Sequence, residues 1–133
     1  MNWRHKDVWT RDGTNFIVQV SRHSVEKVAE YDSTGPHRWC VYAYIYPEHH
    51  EFASFKGPDM WQDAATDLPL HGGPSMLRWH YNTSGEPTSV QVGADYNHLH
   101  DEDFTHMATD DDARKVFADA DKLHSALSAK EAA

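Results

Sequence analysis

Two runs of strict alternation stand out along the chain. In residues 75–81 the apolar side chains Leu77, Trp79 and Tyr81 fall on every second position, and in residues 88–94 Val90, Val92 and Ala94 do the same. A period of two is the mark of half-buried strands. The stretch between them, 82–87, is turn chemistry, so the two runs are predicted to pair as an antiparallel hairpin. A hairpin returns its second strand to the level at which the first began. The loop before Ser75 and the loop after Ala94 are therefore expected at one end of the sheet.

Further alternation lies upstream. Residues 8–11 and 14–21 flank Asp12-Gly13, a pair suited to a two-residue type I′ turn because both centres need positive φ. That turn would set Arg11 opposite Thr14 and Trp9 opposite Phe16, on the face continued by Val18 and Val20. Residues 38–46 place Trp39, Val41, Ala43 and Ile45 on one side and Cys40, Tyr42, Tyr44 and Tyr46 on the other. With so little charge on either side, this is the predicted central strand, covered on both faces. The tyrosine row either packs against a covering element or forms a stacking surface for a ligand.

Helical signals are fewer. Residues 22–36 read as a connecting loop, in which 24–30 has room for one or two helical turns ahead of the turn-forming Asp32-Ser-Thr-Gly-Pro36. Residues 49–55 read as helical turns carrying Phe52 and Phe55 inward. A second short helix over 59–65 would take Asp59 as N-cap and Gln62 as its capping-box partner, with Trp61 under the sheet. The clearest helix begins at Thr109, an N-cap with Asp112 at the reciprocal position and three aspartates at the positive end of the macrodipole. Ala113, Val116, Phe117, Ala120, Leu123 and Leu127 make its apolar stripe. Residues 128–133 are expected to fray. The fold class that follows is α+β: an antiparallel sheet built from hairpins, a C-terminal helix packed on one face, and short intervening helices.

Composition narrows the function classes. A chain of 133 residues fits a single domain over 1–133, able to bury roughly two thirds of its unfolded surface. Five Trp, six Tyr and five Phe make aromatic side chains the main source of burial and argue against disorder. The formal charge of −9, from 12 Lys and Arg against 21 Asp and Glu, disfavours direct binding of nucleic acid, which depends on cations displacing counterions from phosphate. A host protein with a basic surface, or a small ligand, is the easier partner, and a homo-oligomer is compatible with the composition. The one cysteine, Cys40, permits neither an internal disulfide nor a C-x-x-C site and suggests a reducing compartment. The first residues, 1–7, hold no apolar stretch of the kind a signal peptide needs, and the apolar run 39–46 is far too short to span a bilayer. A soluble cytoplasmic protein is expected.

The candidate chemistry sits at the mouth of the 75–94 hairpin. His71 precedes its first strand; Asp95, His98 and Asp101 follow its second. Two imidazoles and two carboxylates brought together can hold zinc or another divalent metal through His71, His98 and Asp101, or serve as an aspartate-oriented general base. All four are candidate catalytic residues. Gly72, Gly73, Ser75 and Tyr96 are the expected ligand contacts, the glycines because their amides can face an anion. His80, His100 and His106 are spare candidates. The same residues admit a plainer reading, in which His71 and the glycines make a tight turn and Asp95 caps a loop. No H-E-x-x-H, P-loop or G-x-S-x-G motif occurs.

The run Leu70-His-Gly-Gly-Pro-Ser75, followed by Gly93-Ala-Asp95-x-x-His98-x-x-Asp101 and preceded by Tyr44-Ile-Tyr-Pro-Glu-His49, resembles a group of small phage and prophage proteins of unknown function. Their pattern is H-G-G-x-T, then G-x-D-x-x-H-x-x-D, and the resemblance covers roughly residues 40–103. The chain departs from it at Pro74, Ser75 and Ala94. The resemblance implies a mobile-element protein and no particular activity. Two classes of function follow: an accessory protein that binds or inhibits a host partner, ranked first on charge and on the phage resemblance, and a small metal-dependent or His/Asp-based hydrolase acting at the hairpin mouth.

Overall fold

A computed structural model describes residues 6–25 and 33–133. The chain runs through β1 (Lys6–Gly13), β2 (Phe16–Ser24), β3 (His37–Ile45), a 3-10 turn at Phe52–Ser54, α1 (Asp63–Thr66), β4 (Met76–Tyr81), β5 (Pro87–Asp95), a second 3-10 turn at Glu102–His106, and α2 (Arg114–Ala132). The strands form one five-stranded sheet in the order β1-β2-β3-β5-β4, with every neighbouring pair antiparallel. This is the expected α+β architecture, with β3 at its centre. The connecting loop expected over 22–36 begins later, because Arg22, His23 and Ser24 complete β2; residues 26–32 lie outside the described part.

One face of the sheet carries the core. Phe16, Val18 and Val20 of β2, Trp39, Val41, Ala43 and Ile45 of β3, and Val90 and Val92 of β5 are all buried there, against Val116, Leu123 and Leu127 of α2. The 46–75 connection adds Phe55, Ala65 and Leu68 to the same side. Trp9 from the edge strand stacks on Trp39, centroids 5.6 Å apart, and Phe117 of α2 meets Trp9 edge-on at 5.2 Å. Phe117 is thus half-buried rather than sealed in, because its ring lies at the border where α2 crosses β1. The opposite face differs from expectation: among the described residues no helix packs on it, and Tyr42 and Tyr44 stay half-buried.

The first turn falls two residues later than predicted. Gly13 pairs with Phe16, Arg11 with Val18 and Trp9 with Val20, so Thr14 and Asn15 form the turn and Asn15 takes φ 64°. Gly13 is used for closeness instead of for a left-handed backbone: a Cβ there would overlap the Phe16 ring. Since each pairing moved by an even number of residues, Trp9 keeps the expected face.

Three local readings are also corrected. Trp61 is 59 % exposed, not under the sheet. The short helix α1 begins at Asp63, because Gln62 is drawn into the preceding loop: its Nε2 donates to the carbonyls of Lys56 (2.8 Å) and Asp59 (2.7 Å), and its Oε1 accepts the Lys56 amide (2.6 Å). Asp59 caps only the amide of Trp61, at 2.9 Å. The Thr109–Asp112 box does form, with the Asp112 amide on Thr109 Oγ1 at 3.2 Å and the Thr109 amide on Asp112 Oδ2 at 3.3 Å, but it closes the turn leading into α2, which starts at Arg114.

Helix α2 continues to Ala132, because Glu131 accepts from Asn15 Nδ2 at 2.6 Å and from the His50 amide at 3.1 Å, tying the helix end to the first turn. Buried His49 holds the preceding turn: its Nε2 donates to the Leu127 carbonyl at 3.0 Å while its Nδ1 accepts the Glu51 amide at 3.0 Å.

Leu123→Ala, at a position with no exposure, is expected to lower stability by about 2–5 kcal/mol in urea unfolding. Phe117→Ala is expected to do less than the about 3–5 kcal/mol of a fully buried phenylalanine; the reverse order would remove α2 from its place on the core.

Two histidines give the fold an acid sensitivity. His23 is held below the ordinary 6.5 by burial first and then by Lys6 of β1 and Arg38 of β3. His37 is lowered by burial and by Arg22, Arg38 and His106, with Asp112 acting the other way. As pH falls through 6.5 the unfolded chain takes up these protons before the folded one, so stability declines below that value and is unaffected by this pair above it. Urea midpoints at about pH 7.5 and about pH 5.5 check this: the drop between them should be smaller in the His23→Gln, His37→Gln double variant than in the parent chain.

Candidate functional site

The site is built by β5, which pairs on both sides. Its Gly93 lies opposite Met76 of β4, and its Asp95 opposite Cys40 of β3. The loop that enters β4 and the loop that leaves β5 therefore meet at one end of the sheet. Ser75 stitches them: its amide donates to the Gly93 carbonyl at 2.9 Å, and its hydroxyl oxygen accepts the Asp95 amide at 2.9 Å. Ser75 was an expected ligand contact; that oxygen instead aligns the two strands.

Asp101 is the centre of the cluster. Its carboxylate, only 7 % exposed, receives His71 Nε2 at 2.9 and 3.0 Å from its two oxygens, His98 Nδ1 at 3.2 Å, and the His98 backbone amide at 2.9 Å. Burial opposes the charged carboxyl, yet the His98 amide and the imidazoles of His71 and His98 outweigh it and hold Asp101 below the usual carboxylate range. Asp95 stands at the rim, 45 % exposed, with Oδ1 3.7 Å from His98 Nδ1 and accepting the Asn97 amide at 3.1 Å. All four predicted site residues, His71, Asp95, His98 and Asp101, are thus brought together. One imidazole nitrogen each from His71 and His98 and one Asp101 oxygen lie within 4.8 Å of one another.

The glycine pair shapes the approach. Gly72 and Gly73 adopt φ 71° and 83°, a left-handed backbone that other residues rarely take, and a Cβ at Gly72 would press to 3.3 Å on the His98 ring. The Gly73 amide is committed to the Leu70 carbonyl at 2.9 Å, so it does not face a ligand as expected. The pair lets the chain turn tightly enough to set His71 over Asp101.

Tyr96 is corrected from a ligand contact to a support. It is 1 % exposed, its ring stacks on His71 at 4.3 Å with 14° between planes, and its hydroxyl donates to Asp119 Oδ2 of α2 at 2.6 Å. Burial first, and then the bond to Asp119, pushes its phenol far above the ordinary range. Asp119 is itself buried and paired with Lys115. Phe104 closes the other side, 4.9 Å from Tyr96 and 5.5 Å from His71. Sequence reading missed Phe104 and Asp119; the apolar Phe104 amid polar residues was the signal available for the former, and Asp119 carried none. The spare candidates lie elsewhere: His80 bonds Gln91 on the open face, His106 bonds the Ser33 carbonyl, and His100 is exposed at φ 74°.

No protein family, no curated protein and no solved structure matches the chain. Among the described residues no helix is long and apolar enough to cross a membrane. The reading of the site accordingly rests on its own geometry.

Tyr96→Phe removes the hydroxyl that Asp119 accepts from. It is expected to lower stability by about 1–3 kcal/mol in urea unfolding while leaving the ring under His71; an unchanged midpoint would mean that the bond does not anchor α2 to the site.

Proposed function

We propose that the hairpin mouth is a divalent-metal centre and that the protein uses it for metal-assisted hydrolysis. What supports this best is the convergence of His71, His98 and Asp101 donor atoms within 4.8 Å. Two imidazoles and one carboxylate form the donor set of zinc sites that keep a fourth, open position for water. The ion would supply a more acidic bound water and a Lewis acid beside it. Asp101 contributes the charge and is fixed by the His98 amide; Tyr96 and Phe104 fix the plane of the His71 ring. Asp95 is near enough to His98, and exposed enough, to take the proton from the attacking water and return it to the leaving group as the substrate's bond breaks. With these donors side by side, the hydrolase reading moves ahead of the binding reading that charge and the phage resemblance had favoured. The single buried thiol, Cys40, accords with work in the cytoplasm.

A second reading is favoured by one observation at the rim. Leu99, next to His98, is 85 % exposed, and Trp61, 59 % exposed, lies beside Gly73. Large apolar side chains flanking a polar cluster suit a recognition surface, here one for a basic protein partner of a phage-type accessory protein.

Zinc titration of chelator-treated protein against a chromophoric competitor tests the metal centre. One equivalent is expected, weakened at least about tenfold, or 1.4 kcal/mol, by His71→Ala or by His98→Ala. Absence of a bound equivalent, or binding that survives the double variant, would overturn the metal reading. Retained metal, together with a biological effect that Trp61→Ala or Leu99→Ala abolishes and the double histidine variant spares, would put the recognition surface in its place.

A further inference from the structure

On the sheet face away from α2, the strand register sets Lys6 of β1 opposite His23 of β2, and His23 opposite Arg38 of β3. The row sets two cations, Lys6 and Arg38, on either side of an imidazole. Its field is felt at His23, which burial first and then Lys6 and Arg38 hold below the ordinary imidazole value. The row is locally basic in a chain whose formal charge is −9.

Beside it lies a cavity of about 230 Å³ whose walls include His23, Arg38, Cys40, Asp95 and Asn97. Pockets for drug-sized ligands run to roughly 300–1,000 Å³, so this one suits a small ion or one group of a larger molecule. Arg38 is the donor placed for it. Its Nη1 is held by the carbonyls of Gly35 at 2.6 Å and His37 at 3.0 Å, which fixes the guanidinium, while Nε and Nη2 make no other hydrogen bond among the described residues. A guanidinium so fixed presents a planar pair of donors matched to an oxyanion. Asp95 joins this cavity to the histidine cluster: it lines the cavity and also stands 3.7 Å from His98 Nδ1.

We infer that the cavity is the oxyanion subsite for the substrate of the hairpin mouth, and that this substrate is a small molecule bearing a phosphate or carboxylate group. Seated on Arg38, that group leaves the rest of the molecule to pass over Asp95 toward His71, His98 and Asp101. The inference rests on the hydrolytic reading for the word substrate, whereas the anion site itself does not need the metal.

The test separates the two. Isothermal titration of chelator-treated, metal-free protein with inorganic phosphate, and separately with acetate, should show saturable binding of at least one; the anion that binds assigns the group. Arg38→Gln should weaken it about five- to tenfold. Asn97→Asp, at an exposed position where folding is not at stake, places a negative charge on the cavity wall and should weaken binding similarly. Failure of both anions to bind, or binding that neither Arg38→Gln nor Asn97→Asp alters, overturns the subsite. Anion binding without zinc binding would overturn the metal reading alone.

Discussion

The pairing of β5 on both of its edges is the constraint from which the rest of the molecule follows. Val90 and Val92 sit opposite Trp79 and Leu77 of β4 on one side, and opposite Ile45 and Ala43 of β3 on the other, all turned to the core face. A slip of one residue would turn that whole set outward, so the register is strongly specified. Once it is fixed, the entry to β4 and the exit from β5 have one place to go. The left-handed backbone at Gly72 and Gly73 and the Ser75 bridge then complete an arrangement whose coarse position the sheet has already decided.

Period-two alternation made the sheet legible because the three inner strands, β2, β3 and β5, bury the apolar side chains of their core face, and the pattern survives even where a turn is misplaced. At residues 12–15 the sequence reading took Asp12-Gly13 as the turn. The glycine could supply positive φ or permit the Phe16 ring to lie close, and only the three-dimensional packing chooses the second. Short-range signals failed in the 56–63 loop for a related reason. Gln62 has three uses for one side chain, as capping partner, donor and acceptor, and tertiary geometry recruits it to Lys56 and Asp59, which delays the helix and leaves Trp61 outside. What ties the C-terminal end, Glu131 on Asn15 and His50, spans more than eighty residues, a separation at which local patterns are silent.

At the site, the charged residues were legible and their supports were not. Hairpin geometry alone joins His71 to the 95–101 segment, as polar residues at a sheet end must have somewhere to converge. Tyr96 reads from sequence as a residue next to a cluster, equally able to face outward or inward. The structure turns it in because Asp119, on a helix that starts nearly twenty residues later, offers its hydroxyl a buried acceptor. The support of His71 is therefore a property of α2 as much as of the hairpin.

Asp101 does two things at once. It receives the backbone amide of His98, which shapes the 98–101 loop, and it receives both imidazoles. These duties make it uninformative as an evolutionary marker. In a lineage that abandoned the chemistry of the hairpin mouth, selection for the loop alone would keep the aspartate, while nothing would hold the two imidazoles. Joint retention of His71 and His98, set against drift at one or both, is the signature that separates a working site from a relic with the same backbone.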